Sequence, residues 1–129
     1  MTDVFSDLIG QDHVVAQLRA AAADGPAARA GLPSAAMTHA WLLTGPPGSG
    51  RSTAALALAA ALVCPQRGCG VCADCVAVKH SAHVDVEHVV PESVTYSVAE
   101  TRELVHRSAM QPSRAPWHVF VLEDADRLN

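Results

Sequence analysis

An α/β fold with a parallel sheet flanked by helices is predicted, on three observations. Short apolar runs at 39–44, 84–90 and 117–122 have the length and composition of strands. Segments of helical composition, 51–63 and 97–110, lie between them. The first run also passes directly into a glycine-rich turn at 45–50. Strands that alternate with helices pair in parallel through right-handed crossovers.

Each element has its own justification. Over 7–23, Leu8, Ile9, Val14, Val15 and Leu18 recur at three- and four-residue spacing, which predicts an amphipathic helix starting near Gln11. Two glycines and two prolines within 24–34 then predict a surface connection. The segment 51–63 has no charge after Arg51 and no polar face, so it should be a helix buried on most sides. The run 84–90 alternates and is bounded by Pro91. Ser97 and Glu100 form a capping-box pattern that should start a helix carrying Val98, Leu104 and Val105 inward. Pro112 and Pro116 end that helix before the third strand.

Composition bounds the rest. The chain has 129 residues, 50% hydrophobic and 17% charged, which is one domain's worth at most and enough to bury a core without disulfides. This balance excludes a membrane-embedded or disordered class. A formal charge of −4, with Lys79 the sole lysine, argues against direct gripping of nucleic acid, which rests on clustered basic residues. Residues 1–7 carry acids where a secretory signal carries bases, and the uncharged run 53–63 is far short of the roughly 20 residues that span a bilayer. A cytoplasmic protein is expected, and in that compartment four cysteines suggest metal before disulfide.

Three motifs carry chemistry. Gly45, Pro46, Pro47, Gly48, Ser49, Gly50, Arg51 and Ser52 match the phosphate-binding pattern G-x-x-x-x-G-K-[ST] except at the lysine. Glycines there let successive N–H groups face one anion, the following helix adds its positive end, and Ser52 would ligate Mg²⁺. Arg51 keeps the charge, but its broad planar fork does not fit a lysine's place between phosphates. Binding of ATP with Mg²⁺ is therefore left open, and hydrolysis should suffer. The third strand ends in Glu123 and Asp124, acids that such folds use for metal and water, here in reversed order. The plain alternative is two solvated acids at a loop start.

The third motif is Cys64, Cys69, Cys72 and Cys75, four thiols within 12 positions. They can converge on one tetrahedral Zn²⁺, and a full thiolate set leaves no open position, so the zinc would be structural. His80 and His83 lie close enough to replace one thiol. His13, His39, His88, His106 and His118 sit singly and read as structural.

With these elements in this order, the sequence resembles the AAA+ clamp-loader subunits of bacterial DNA polymerase III. The matching stretches are 7–11, 39–52, the four cysteines directly after the phosphate-loop helix, and 119–129. Arg51 and the order Glu123, Asp124 look like the delta-prime branch, whereas gamma/tau carries lysine and an aspartate-glutamate pair. The resemblance implies the first half of a P-loop AAA+ domain at 39–129, with a zinc module at 64–79 projecting as an appendage and residues 1–38 leading in. It places 7–11 near an adenine. It also implies a hetero-pentamer with delta and gamma/tau that opens the sliding clamp and sets it on primed DNA, with weak or absent hydrolysis in this subunit. The rest of the domain, an arginine finger, a lid and a collar would follow Asn129.

Overall fold

The computed structural model describes residues 3–46 and 48–128. Pro47 of the glycine-rich turn and Asn129 therefore lie outside the described residues.

Helix α1 spans Asp12–Arg29 and buries Val15, Leu18, Ala21 and Ala22. Its start matches the expected position, but it continues through Gly25 and Pro26 into the stretch read as a connection. A proline inside a helix removes one bond and crowds the preceding turn, at a cost of about 3 kcal/mol in an interior position. Packing offsets this. Gly25 is buried, and a Cβ there would come 3.3 Å from Leu62 and 3.6 Å from the Trp117 indole nitrogen, so the residue that weakens the helix is also the one that lets it seat. The helix ends at Arg29 and closes on Gly31, with Leu32 N–H donating to Ala27 O at 2.9 Å and Gly31 N–H to Ala28 O at 3.1 Å. That pair of bonds is a Schellman closure. Ile9 precedes the helix and is exposed.

Helix α2, Arg51–Val63, is buried as its uncharged sequence requires. One side joins Phe5, Leu8, Leu18 and Ala22 through Ala54, Ala57, Leu58 and Ala61. The other joins Val78, Val86 and Val121 through Ala59, Ala60 and Val63. Alanine at most of these positions lets neighbours approach closely from both sides.

Helix α3 spans Ala73–Lys79, strand β1 Val86–Val89, helix α4 Val98–Ser108 and strand β2 Val119–Leu122. The strands pair in parallel, Val86 opposite Val119 and Val89 opposite Leu122, with α4 as the crossover. The capping box forms as expected, Glu100 N–H to Ser97 Oγ and Ser97 N–H to Glu100 Oε1, both 3.0 Å. The helix is rotated from the expected face. Val98 and Val105 are exposed, while Thr101, Leu104 and Arg107 are half-buried. On the inward side Arg107 pairs with Glu87 on β1 at 3.0 Å, and Glu87 also holds His118 at 2.9 Å.

The expected first strand does not form. Residues 39–44 have no regular structure, Leu42 is 77% exposed, and only Leu43 reaches the core around α1 and α2. An apolar run becomes a strand only where a neighbouring edge takes up its N–H and C=O groups. Among the described residues the sheet has two strands, and they pair with each other.

Two candidate sites at the ends of one helix

The glycine-rich loop caps the start of α2 and the cysteine loop receives its end. At the start, Gly50 is the N-cap with φ 91° and Gly48 has φ 82°, left-handed values that a side chain would strain. The turn is closed by Ser49 N–H donating to Pro46 O at 3.1 Å. No side chain caps α2, and its first turn holds no acid. Arg51 instead puts a cation at the positive end of a helix dipole, an arrangement that favours a bound anion. The Ser49 hydroxyl is buried, with no hydrogen-bond partner among the described residues. An uncapped helix start, an orphaned hydroxyl and a misplaced cation together fit a phosphate group, and Gly45, Pro46, Gly48, Ser49, Gly50, Arg51 and Ser52 would be the residues to hold it. A nucleotide there would supply the phosphate charge, and Mg²⁺ would share it with Ser52.

Ser52 is engaged across the molecule. Its hydroxyl donates to Glu123 Oε2 at 2.8 Å, and the other Glu123 oxygen meets His88 Nε2 at 2.8 Å. His88 Nδ1 in turn lies 3.1 Å from Ser81 Oγ. Burial acts to raise the Glu123 carboxyl, but the Ser52 hydroxyl and the His88 ring outweigh it and hold the group below the usual carboxylate range. Beside it, the buried Tyr96 hydroxyl donates to the carbonyls of Val89 and Glu123, tying the two strand ends together. Asp124 behaves differently from its neighbour. It has φ 51°, caps a 3₁₀ turn over Ala125–Arg127, and is exposed. Only the first acid of the pair therefore joins the loop.

At the other end of α2, the sulfurs of Cys64, Cys69, Cys72 and Cys75 all lie within 4.8 Å of one another. Cys64 to Cys69 is 3.8 Å and Cys64 to Cys72 is 3.7 Å. A tetrahedron with metal–sulfur bonds of about 2.3 Å has edges of about 3.8 Å, so the donor set fits Zn²⁺. Backbone N–H groups support the sulfurs: Gln66 to Cys64 and Cys72 to Cys69, both at 3.3 Å, and Cys75 to Cys72 at 3.5 Å. N–H donation from Val71 and Cys72 brings the Cys69 thiol down to about 7, whereas burial drives Cys75 well up. Four thiolates this close repel, and a divalent cation is what lets them coexist.

The module is no appendage. Cys64 and Cys75 are buried with Val78 in the core shared by α2 and the sheet. His83 is excluded as a ligand because both ring nitrogens are used: Nδ1 accepts from Asp85 N–H at 3.0 Å and Nε2 meets Asp74 Oδ1 at 2.8 Å. Asp74 also accepts from Arg114 at 3.0 Å, and His80 is exposed. Asp85, 1% exposed, accepts N–H bonds from Ser113, Arg114 and Ala115. Desolvation would raise its carboxyl, yet those three donors hold it below the ordinary range.

Residue order alone does not point to Ser81, Tyr96 or the Asp74–His83–Asp85 cluster, nor to the pairing of His88 with Glu123. The alternation of 84–90 was a usable signal for His88. It puts His88 on the face of Val86, and Glu123 lies two residues beyond its partner Val121 on that face, but only once the strand register is known.

Among the described residues no helix is long and apolar enough to cross a membrane. The sequence profile of the family described as "DNA polymerase III, delta subunit" matches residues 27–129. The chain is similar to the DNA polymerase III subunit gamma/tau of Mycobacterium tuberculosis, 32% identical over 94% of this chain and 20% of that protein. It is similar to the DNA polymerase III subunit tau of Escherichia coli, 29% identical over 97% of this chain and 18% of that protein. The same share of this chain aligns with the subunit tau of Bacillus subtilis at 26% identity, over 21% of that protein. The chain thus spans about a fifth of the length of these relatives. No solved structure matches it.

Proposed function

Because the chain belongs to the DNA polymerase III delta-subunit family, a clamp-loader AAA+ family, we propose that it is part of a non-motor, delta-prime-like subunit. That subunit works in the cytoplasm, in a ring with delta and gamma/tau, to load the sliding clamp onto primed DNA during replication. The four cysteines hold one structural Zn²⁺. The glycine loop accepts the phosphates of ATP with Mg²⁺, with weak hydrolysis or none.

The observation that carries the non-motor reading is the single bond between Ser52 and Glu123. The residue meant to share a metal with the phosphates is a glutamate, one methylene longer than aspartate, and it already rests on the serine. The acid left for water activation, Asp124, is exposed and turned into a left-handed residue. With Arg51 in the lysine position, three parts of a hydrolytic site depart together.

A motor reading has one observation in its favour, that the curated relatives named above are gamma/tau and tau subunits. A steady-state ATPase assay on the full-length protein separates the two. Little turnover is expected with or without primed DNA, and Arg51→Lys alone should not raise it to a motor's rate. Robust DNA-stimulated turnover by the unaltered protein would overturn the non-motor reading.

A further inference from the structure

Residues 3–8 form a strap that touches both candidate sites. At one end, Val4 N–H donates to Gly68 O at 3.0 Å, inside the interval between Cys64 and Cys69. A Cβ on Gly68 would come 2.6 Å from the Val4 side chain, so the strap lies directly on the cysteine loop. Asp3 fixes the strap against α1 by accepting from Arg19 at 3.2 and 2.9 Å, and by taking the Phe5 N–H at 3.0 Å. At the other end, the Leu8 side chain lies 3.7 Å from where a Cβ would stand on Gly50, the left-handed cap of α2. Between these ends Phe5 and Leu8 are buried with Ala54, Ala57 and Ala61.

We propose that this strap couples the two sites, so that metal on the four cysteines tightens anion binding at the glycine loop. The inference rests on reading those loops as a zinc site and a phosphate site. The coupling path follows from the contacts. The Gly68 carbonyl sits four residues from one ligand and one residue from the next, so its position depends on the two sulfurs being held together. Val4 transmits that position to Phe5 and Leu8, whose packing leaves little room for independent movement. Leu8 then sets the backbone of Gly50, which aims the first amides of α2. The two loops are separated by the length of α2, about 20 Å for its 13 residues, so no direct contact between their ligands is involved. Leu8 is a positioning residue here, acting through Gly50.

The test is a titration of the full-length protein with a fluorescent ATP analogue, zinc-loaded and after chelation. Metal removal should weaken nucleotide binding by about fivefold or more, the lower range of measured coupling between sites. Reciprocity requires the same factor in the other direction. Saturating ATP should tighten binding of Co²⁺, read by its thiolate charge-transfer absorption. Leu8→Ala should keep the four-thiolate cobalt spectrum, weaken nucleotide binding with metal in place, and remove the metal dependence. Where the stripped chain does not keep its fold, the Co²⁺ arm decides: ATP should shift Co²⁺ affinity in the unaltered protein and not in Leu8→Ala. Equal nucleotide affinity with and without metal overturns the coupling, and full metal dependence retained in Leu8→Ala overturns its passage through the strap, while both sites stand. Absence of nucleotide binding in every state, or of a thiolate spectrum, would instead defeat the site assignment and the coupling with it.

Discussion

The cysteine loop and the glycine loop bracket the same helix and use the same turn-forming residue, yet one is internally satisfied and the other is not. In the cysteine loop the sulfurs meet one another at a metal's tetrahedral spacing, take N–H bonds from their own segment, and sink into the core. In the glycine loop the helix start is uncapped, the Ser49 hydroxyl has no partner among the described residues, and most of the chain leading in is exposed. A closed set of ligands marks a site built for stability, and an open set of donors marks one built for exchange. Substitutions at the two ends of α2 should therefore fail in different ways.

The largest effect is expected at the closed end. Cys75→Ser removes a buried ligand, and since structural zinc contributes on the order of 10 kcal/mol in small modules, the chain should lose its metal and more stability than Asp85→Ala or Gly50→Ala removes. Metal analysis with thermal unfolding checks this, and a wild-type stoichiometry near zero with four titratable thiols would break the comparison at its root.

Next comes the polar cluster that pins the cysteine module to the sheet. Asp85→Ala strands three backbone N–H groups, and about 3 kcal/mol of stability should go, read from urea unfolding. The same group sets an acid limit. Its folded carboxyl is lowered, so its contribution is complete above the unfolded value of about 3.9 and is lost as pH falls through the folded one. Unfolding midpoints measured from pH 6 to pH 2 should fall less steeply below pH 4 in Asp85→Asn than in the unaltered chain.

The smallest change in stability belongs to the open end. Gly50→Ala places a side chain at φ 91° and should cost about 1–2 kcal/mol. Nucleotide binding should fall far more than stability does, which a paired unfolding and fluorescence titration would reveal. A stability loss as large as that of Cys75→Ser would erase the distinction between the two loops.

Much of this division was legible from residue order. Four cysteines within 12 positions after an uncharged helix predict thiols that converge, as they do, and the capping box at Ser97 and Glu100 forms bond for bond. What failed to appear depended on contacts between distant residues. Gly25 and Pro26 read locally as a break, because nothing nearby announces the Leu62 and Trp117 surfaces that carry the helix past them. Residues 39–44 read as a strand by composition, but strand formation needs an edge, and composition does not supply one. Hydrophobicity points Val98 and Val105 inward, whereas the face of α4 that turns in carries Thr101, Leu104 and Arg107, the last paired with Glu87. His88 entered the site through the strand register alone.

The spacing of these contacts along the chain also orders them in time. The cysteines close a loop of 12 residues, whereas Val86 of β1 and its partner Val119 of β2 are 33 residues apart. Short loops close sooner and at lower entropic cost than long ones. On a growing chain the four cysteines are therefore expected to come together while Val119–Leu122 is still inside the ribosome, with α2 already anchored at one end before the sheet that covers it exists.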